Sequence, residues 1–267
     1  MTERQRFEQL ISEVTACSEY AAKAQESIKR TYKEDGSVLT KTDTQINSRL
    51  STRIRELFPT AGIISEEEAS VPSESGASYI FCLDPIDGTD AYSQGFPSWC
   101  IAVGILDQDL RPVGGIVSAP RFGPGTDKPL LVYRLPSEGI YLQGERFNQE
   151  KSYSSSDGLI VSSKAFKHVD LSAFPGKVRS FGSTILHILS PLIFSHIQAA
   201  LVPSCFIWDI AAAEGIINER GLKVTYLDGR RLDYRQITDR SPSRGYSLAA
   251  TEEVYHRIRD QITVRQR

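Results

Sequence analysis

Asp84 and Asp87 stand three residues apart in Leu83-Asp84-Pro85-Ile86-Asp87-Gly88-Thr89, at the end of an apolar run. A strand running into Asp84, a proline with no N–H to give a ladder, and a glycine free to adopt conformations denied to other residues predict a sharp turn. Such a turn sets both carboxylates on one side. It also leaves the N–H groups of Gly88 and Thr89 at the start of a short helix, a natural seat for phosphate. Hard divalent cations take oxygen ligands, and magnesium in particular takes carboxylates with phosphate oxygens and water. Carboxylates with no His or Cys beside them favour magnesium or manganese over zinc. Read alone, the loop is only moderately specific, since such a stretch is often a plain turn with satisfied side chains. Two other functional readings fail on spacing. An EF-hand loop needs Glu where Gly95 stands, and an aspartyl-phosphate phosphatase needs its aspartates two residues apart, not three.

Three further segments carry candidate groups. Ile63-Ile64-Ser65-Glu66-Glu67-Glu68 ends an apolar strand in carboxylates, of which Glu67 and Glu68 read as solvated. Trp208-Asp209-Ile210-Ala211-Ala212-Ala213 places Asp209 where a helix begins, and a simple N-cap is its plainer reading. Lys41-Thr42-Asp43 could likewise be only a helix start. The histidines are poor candidates for chemistry: His187 and His196 fall in an apolar stretch as core or boundary residues, and His168 and His256 read as exposed. There is neither a Gly-x-Ser-x-Gly elbow nor a Walker loop.

The elements that must position these groups follow from periodicity. Phe7, Leu10, Ile11, Val14, Cys17, Ala21, Ala24 and Ile28 predict an amphipathic helix over about 4–30. After a turn at Gly36, Thr42 and Gln45 have capping-box spacing, and Ile46, Leu50, Ile54 and Leu57 predict a helix over 43–57. Strands are expected at 62–65 and 79–83, an antiparallel hairpin at 99–106 and 112–119, and a pair at 130–135 and 139–142. The serine run 152–156 marks the boundary between two lobes, 1–150 and 151–267. Beyond it come strands at 159–162 and 177–181, a helix from Ser183 and a strand at 199–202. A helix over 210–219, a closing hairpin of 224–227 with 231–234, a strand at 246–250 and a helix over 252–264 complete the chain. Both halves mix helices and sheets, a layered α/β architecture.

The chain has 267 residues, 40% hydrophobic and 24% charged, with net charge −2. That balance gives no reason to expect a nucleic acid polymer or an anionic membrane as partner, while a small phosphorylated molecule can be held by local cations or metal. The four cysteines, Cys17, Cys82, Cys100 and Cys205, are scattered without a CxxC pair and read as reduced, buried thiols. The first residues are polar, and the longest apolar stretch, 185–202, is interrupted by His187, Pro191, His196 and Gln198, so it reads as core rather than a membrane span. A cytoplasmic protein is the expectation.

Taken together, the segments 35–43, Glu66, Asp84-Pro85-Ile86-Asp87-Gly88-Thr89, Trp208 to Ala213 and the hairpin 229–234 resemble the inositol monophosphatase superfamily of magnesium-dependent, lithium-inhibited phosphatases. The resemblance implies a five-layer αβαβα sandwich with the site between two lobes, two or three Mg2+ ions (Mn2+ being an alternative), and a homodimer. By position it gives Glu66, Asp84 and the Ile86 carbonyl to the first metal, and Asp84, Asp87 and Asp209 to the second. Asp43 and Thr89, with Glu66, would orient the attacking water. Gly88 and Thr89 would hold the phosphate, and Gly182-Ser183-Thr184 would contact substrate. Two cations about 3.5–4 Å apart would offset the charge that makes a phosphate dianion repel a nucleophile.

The substrate signals conflict. The inositol-specific branch has glutamate seven residues before the second-motif aspartate, where Val202 stands here, and Asp90 replaces a lysine frequent in nucleotide phosphatases. Ile64-Ser65-Glu66-Glu67 and Gly229 to Tyr234 nevertheless look like the bisphosphate nucleotidase branch. The favoured expectation is a phosphatase of inositol phosphate or a similar polyol or sugar phosphate. The alternatives are a 3′(2′),5′-bisphosphate nucleotidase, favoured by Arg179 or Lys164 pointing into the cleft, and a catalytically silent homologue acting as an interaction protein.

Overall fold

The computed structural model describes residues 1–28, 31–32, 38–125, 129–238 and 240–265. Helix α1 (Glu3–Ala24) opens on a capping box: the Thr2 hydroxyl accepts from the Gln5 N–H and the Gln5 side chain accepts from the Thr2 N–H. Regular helix stops six residues short of the expected end, at a 3₁₀ turn over Gln25–Ser27. Gln25 is buried there and donates to the carbonyls of Tyr92 and Phe96, 2.9 Å from each, which draws the chain off the helix path. The turn expected at Gly36 lies outside the described residues, as does the stretch 35–37 of the resemblance. Strands β1 (Thr31–Tyr32) and β2 (Val38–Leu39) pair antiparallel. Helix α2 (Lys41–Leu57) begins two residues earlier than expected, and its box joins Thr40 to Asp43 rather than Thr42 to Gln45. Thr40 has the extended backbone an N-cap requires, whereas Thr42 is already inside the helix and buried.

The first large sheet has seven strands in chain order: β3 (Gly62–Ser65), β4 (Ile80–Asp87), β5 (Cys100–Leu106), β6 (Pro112–Ala119), β7 (Leu130–Arg134), β8 (Ile140–Leu142) and β9 (Glu145–Arg146). Only the β3–β4 pair in it is parallel. The short helix α3 (Thr89–Ser93) follows β4. Beyond lie β10 (Gly158–Val161), β11 (Val169–Asp170), β12 (Val178–Arg179), α4 (Thr184–Ile193), β13 (Ile197–Val202), α5 (Ala211–Ile217), β14 (Lys223–Tyr226), β15 (Ser247–Ala250), α6 (Glu252–Ile258) and β16 (Thr263–Val264). A five-stranded mixed sheet runs β12-β10-β13-β15-β14, and β11 pairs with β16.

Two expectations fail near the C-terminal end. The closing hairpin reduces to one bridge, Thr225 to Arg231, because Asp233 caps a 3₁₀ turn over Tyr234–Gln236 instead of extending a strand. The last helix ends at Ile258, after which a 3₁₀ turn leads into β16, whose pairing with β11 takes the residues expected to be helical.

Three cores separate the layers. Helices α1 and α2 cover one face of the seven-stranded sheet through Phe7, Leu10, Ile46 and Leu50. Helices α4 and α5 fill the middle between the two sheets, and α6 closes the outer face of the five-stranded sheet. The order is therefore αβαβα. The middle layer is unusually close to the first sheet along α5. A Cβ on Gly215 would lie 2.1 Å from the Gly114 carbonyl oxygen, and one on Gly115 would lie 2.3 Å from that of Ala212. Alanines 211–213 and these glycines let backbone rest on backbone. That contact fixes where α5 begins, and Asp209 with it.

Candidate metal centre

Strand β4 delivers two carboxylates because its ladder to β5 is irregular. Asp84 pairs with Ala102 and the next pair is Asp87 with Cys100, so Pro85 and Ile86 form a bulge. Pro85 interrupts the ladder without ending it: it sits where no N–H is called for, and pairing resumes at Asp87. Gly88 follows with φ +91°, the left-handed region, and starts α3. A Cβ there would lie 3.2 Å from the carbonyl oxygens of Gly182 and Ser98. The Thr89 hydroxyl lies 2.8 Å from the Ile86 carbonyl oxygen and 3.2 Å from Asp43 Oδ1. Asp43 is buried and also accepts from the Thr40 N–H and hydroxyl.

Asp209 arrives from the other half of the chain. Its carboxylate accepts from the Phe206 N–H at 2.7 Å, bonding backwards rather than into α5, so the N-cap reading does not hold. Oxygens of Asp84, Asp87 and Asp209 all lie within 4.8 Å of one another. Half-buried Glu66 stands at the end of β3, its N–H donating to the Leu83 carbonyl at 3.3 Å, and its charge acts on all three and on Asp43.

Burial pushes the Asp84 and Asp209 carboxyls well above the usual carboxylate range, and the neighbouring carboxylates push the same way. Burial also raises Asp87, to about 6, against hydrogen bonds from Ser183, Ile185 and Thr184. Asp43 rises to about 6, again through burial, with the two bonds from Thr40 opposing. Asp84 Oδ1 is buried without a hydrogen-bond partner. An orphaned buried oxygen among crowded carboxylates, with no thiolate or imidazole in the group, is the donor set of a hard divalent cation. The residues fit the expected metal.

A cleft of about 490 Å³ opens beside this group, lined among others by Asp87, Gly88, Gly182, Thr184 and Asp209. Of the expected substrate-contact segment, Gly182 and Thr184 face the cleft. Ser183 is fully buried: it caps α4, accepting from the Leu186 N–H at 3.0 Å, and donates to Asp87. Asp87 also accepts from the N–H groups of Thr184 (3.2 Å) and Ile185 (2.6 Å), so it rests on the positive end of α4. His187 is core, as expected, but it has a task. Its Nε2 accepts from the Phe181 N–H at 2.9 Å, fastening the segment that leads into Gly182. Burial lowers its pKa to about 4.

Lys164 lines the cleft, whereas exposed Arg179 turns back to the Val178 carbonyl. Sequence reasoning missed Arg240. Its guanidinium stacks 5.6 Å from the Trp208 ring centre and donates to the carbonyls of Ser65 (3.3 Å) and Glu68 (2.7 Å). It thereby ties the Glu66 loop to the residue before Asp209. No periodicity or motif surrounds it. Ser98, whose hydroxyl accepts from the Gly182 N–H at 3.2 Å, was equally silent.

Fold and site together define a class, layered αβαβα proteins with a carboxylate cluster between the sheets that could hold a divalent metal. Within that class the chain belongs to the inositol monophosphatase family, whose model matches residues 5–260. Among its relatives, the Arabidopsis thaliana "Phosphatase IMPL1, chloroplastic" is 24% identical over 79% of this chain and 58% of its own length. A "3'(2'),5'-bisphosphate nucleotidase CysQ" from Aggregatibacter actinomycetemcomitans is 26% identical over 79% of this chain and 80% of its own. The fold matches a crystal structure of an IMPase/NADP phosphatase complexed with Mg2+ and phosphate, with TM-score 0.78, 18% identity, and 98% and 96% of the two chains covered.

Proposed function

We propose that this chain is a magnesium-dependent phosphomonoesterase that hydrolyses a small phosphorylated metabolite, an inositol phosphate or a similar polyol or sugar phosphate. The observation that carries the reading is the meeting of Asp84, Asp87 and Asp209, from both halves of the sequence, within 4.8 Å, with one Asp84 oxygen left unpaired. Glu66, Asp84 and the Ile86 carbonyl are assigned to one ion and Asp84, Asp87 and Asp209 to a second, with a third ion or manganese compatible with the same donors. Bound there, the cations would supply the positive charge that a phosphate dianion and its attacking water require.

The chain's own groups do the positioning. Thr89 commits its proton to Asp43 or Ile86, which leaves its oxygen lone pairs to accept from a water. Glu66 would hold the same water from the other side. Gly88 and Thr89 present N–H groups to the phosphate at the start of α3, and Gly182 and Thr184 bound the alcohol side of the cleft. We place the two lobes at 1–150 and 151–267, between β9 and β10, and expect a cytoplasmic, lithium-sensitive homodimer. No helix among the described residues is long and apolar enough to cross a membrane.

A phosphate-release screen with magnesium, with and without lithium, tests the reading on inositol monophosphates, fructose 1,6-bisphosphate and adenosine 3′,5′-bisphosphate. Release from none of them, with magnesium binding demonstrated by calorimetry, would leave the silent homologue. The nucleotidase reading retains one specific support, Lys164 on the cleft wall.

A further inference from the structure

Asp43 does not stand alone on α2. Asn47 and Ser51 follow it one and two turns on, and all three are buried, none more than 1% exposed. They form a polar stripe beside the apolar one of Ile46, Leu50 and Ile54. The stripe is poorly satisfied. Asn47 Oδ1 accepts from the Ser65 hydroxyl, but Asn47 Nδ2 and Ser51 Oγ have no partner in the protein. A buried donor left unpaired costs stability, and an apolar side chain of the same shape would avoid that cost. The core alone gives no reason for an amide at this place.

Its one partner gives the reason. Ser65 is the last residue of β3 and pairs with Leu83, which packs in the core under α1 and α2. Successive side chains of a strand point to opposite faces. Turning Ser65 towards Asn47 therefore sends Glu66 to the other face, the one to which Asp84, the residue after Leu83, also points. The Ser65 hydroxyl oxygen accepts from the Glu67 N–H at 3.2 Å, so it bridges Glu66, and Asn47 fixes where that oxygen lies. Arg240 holds the same segment from outside, through the Ser65 and Glu68 carbonyls. Asn47 holds it from within.

We propose that Asn47 is a positioning residue for Glu66: by accepting from Ser65 it fixes the end of β3 and aims the Glu66 carboxylate at the centre shared with Asp84. This rests on the assignment of Glu66 and Asp84 to one ion and deepens it. Asn47 acts through Ser65 and has no place at the ion or the substrate.

The test compares wild type with S65A, N47L and the double variant. Magnesium half-saturation is read by calorimetry and, independently, by phosphate release from whichever ester the wild type hydrolyses. Each single change should raise it about tenfold, the scale of one buried hydrogen bond. The double variant should raise it no further, because both changes break the same bond. KM for the ester at saturating magnesium should keep its wild-type value. In EDTA the double variant, with both partners apolar, should melt no lower than wild type. Magnesium half-saturation unchanged in the single variants, or shifts that multiply in the double one, overturns the proposal. So does a double variant that melts below wild type in EDTA, which makes the pair a structural one. If N47L does not fold, S65A decides, since losing one hydroxyl leaves the core filled. A wild type that binds magnesium but hydrolyses no ester removes the phosphatase, while the shift in binding still decides the role of Asn47. A wild type that binds no magnesium overturns both.

Discussion

Asp84 faces the other carboxylates with an oxygen that nothing in the protein satisfies, whereas the Thr89 hydroxyl has two acceptors within reach and, in the proposed reading, only orients a water. Their losses should therefore differ. D84A should lower kcat at least about a thousandfold, having removed a ligand shared by both ions, and T89A about 10- to 100-fold, as an orienting group does. Equal losses in steady-state assays would count against this division of roles. His187 supplies a pH prediction. Its folded pKa of about 4 lies below the ordinary 6.5, so in that interval the unfolded chain binds the proton and the folded one does not. Stability is lost as pH falls through this window, by about 2 kcal/mol between pH 7 and 5. Asp43 and Asp87 shift upward and work in the opposite sense. The quantity to measure is therefore the difference in urea unfolding between wild type and H187N at the two pH values. A difference that does not change with pH refutes the assignment.

At the scale of elements, α5 and the β5–β6 hairpin make the decisive contact. G215A would put a methyl carbon 2.1 Å from the Gly114 carbonyl oxygen, a clash that only separation of helix and sheet relieves. A destabilisation of about 2–4 kcal/mol is expected from overpacking at such a site. Because Asp209 stands just before α5, magnesium affinity should fall as well. Thermal melts with and without magnesium measure both, and a variant that melts and binds like wild type removes the seam's importance. What the sequence made legible divides along the same line. The Asp84 to Thr89 loop and the start of α4 were readable because spacing of a few residues determines them. Ser183 was misplaced because its inward turn depends on Asp87, 96 residues away. Arg240 reaches 172 residues back to the Glu68 carbonyl, and no local pattern announces such a contact. The shift of the α2 box to Thr40 and Asp43 is instructive as well, since Asp43, which the proposed function gives to the attacking water, also completes the cap of the helix that carries it.

For the whole molecule, the centre joins residues from both halves, so crowded carboxylates oppose folding until a cation neutralises them. D84N removes one of those charges. In EDTA it should melt above wild type, and added magnesium should raise the wild type but not the variant. The wild-type gain should reach about 2.7 kcal/mol at a magnesium concentration a hundred times its dissociation constant. A D84N protein that melts below wild type in EDTA would show that Asp84 is a structural group and not a strained ligand.

The glycine and alanine seam beneath α5 carries a consequence for change over evolutionary time. Side chains in an ordinary interface can be exchanged and repacked, but here main chain lies against main chain and there is nothing to exchange. Variation is pushed outward to the walls around Lys164 and Tyr246, where substitutions leave the floor of the site untouched. A lineage on this scaffold can thus alter which molecule it accepts while keeping how it acts, and differences in preference should collect along the rim.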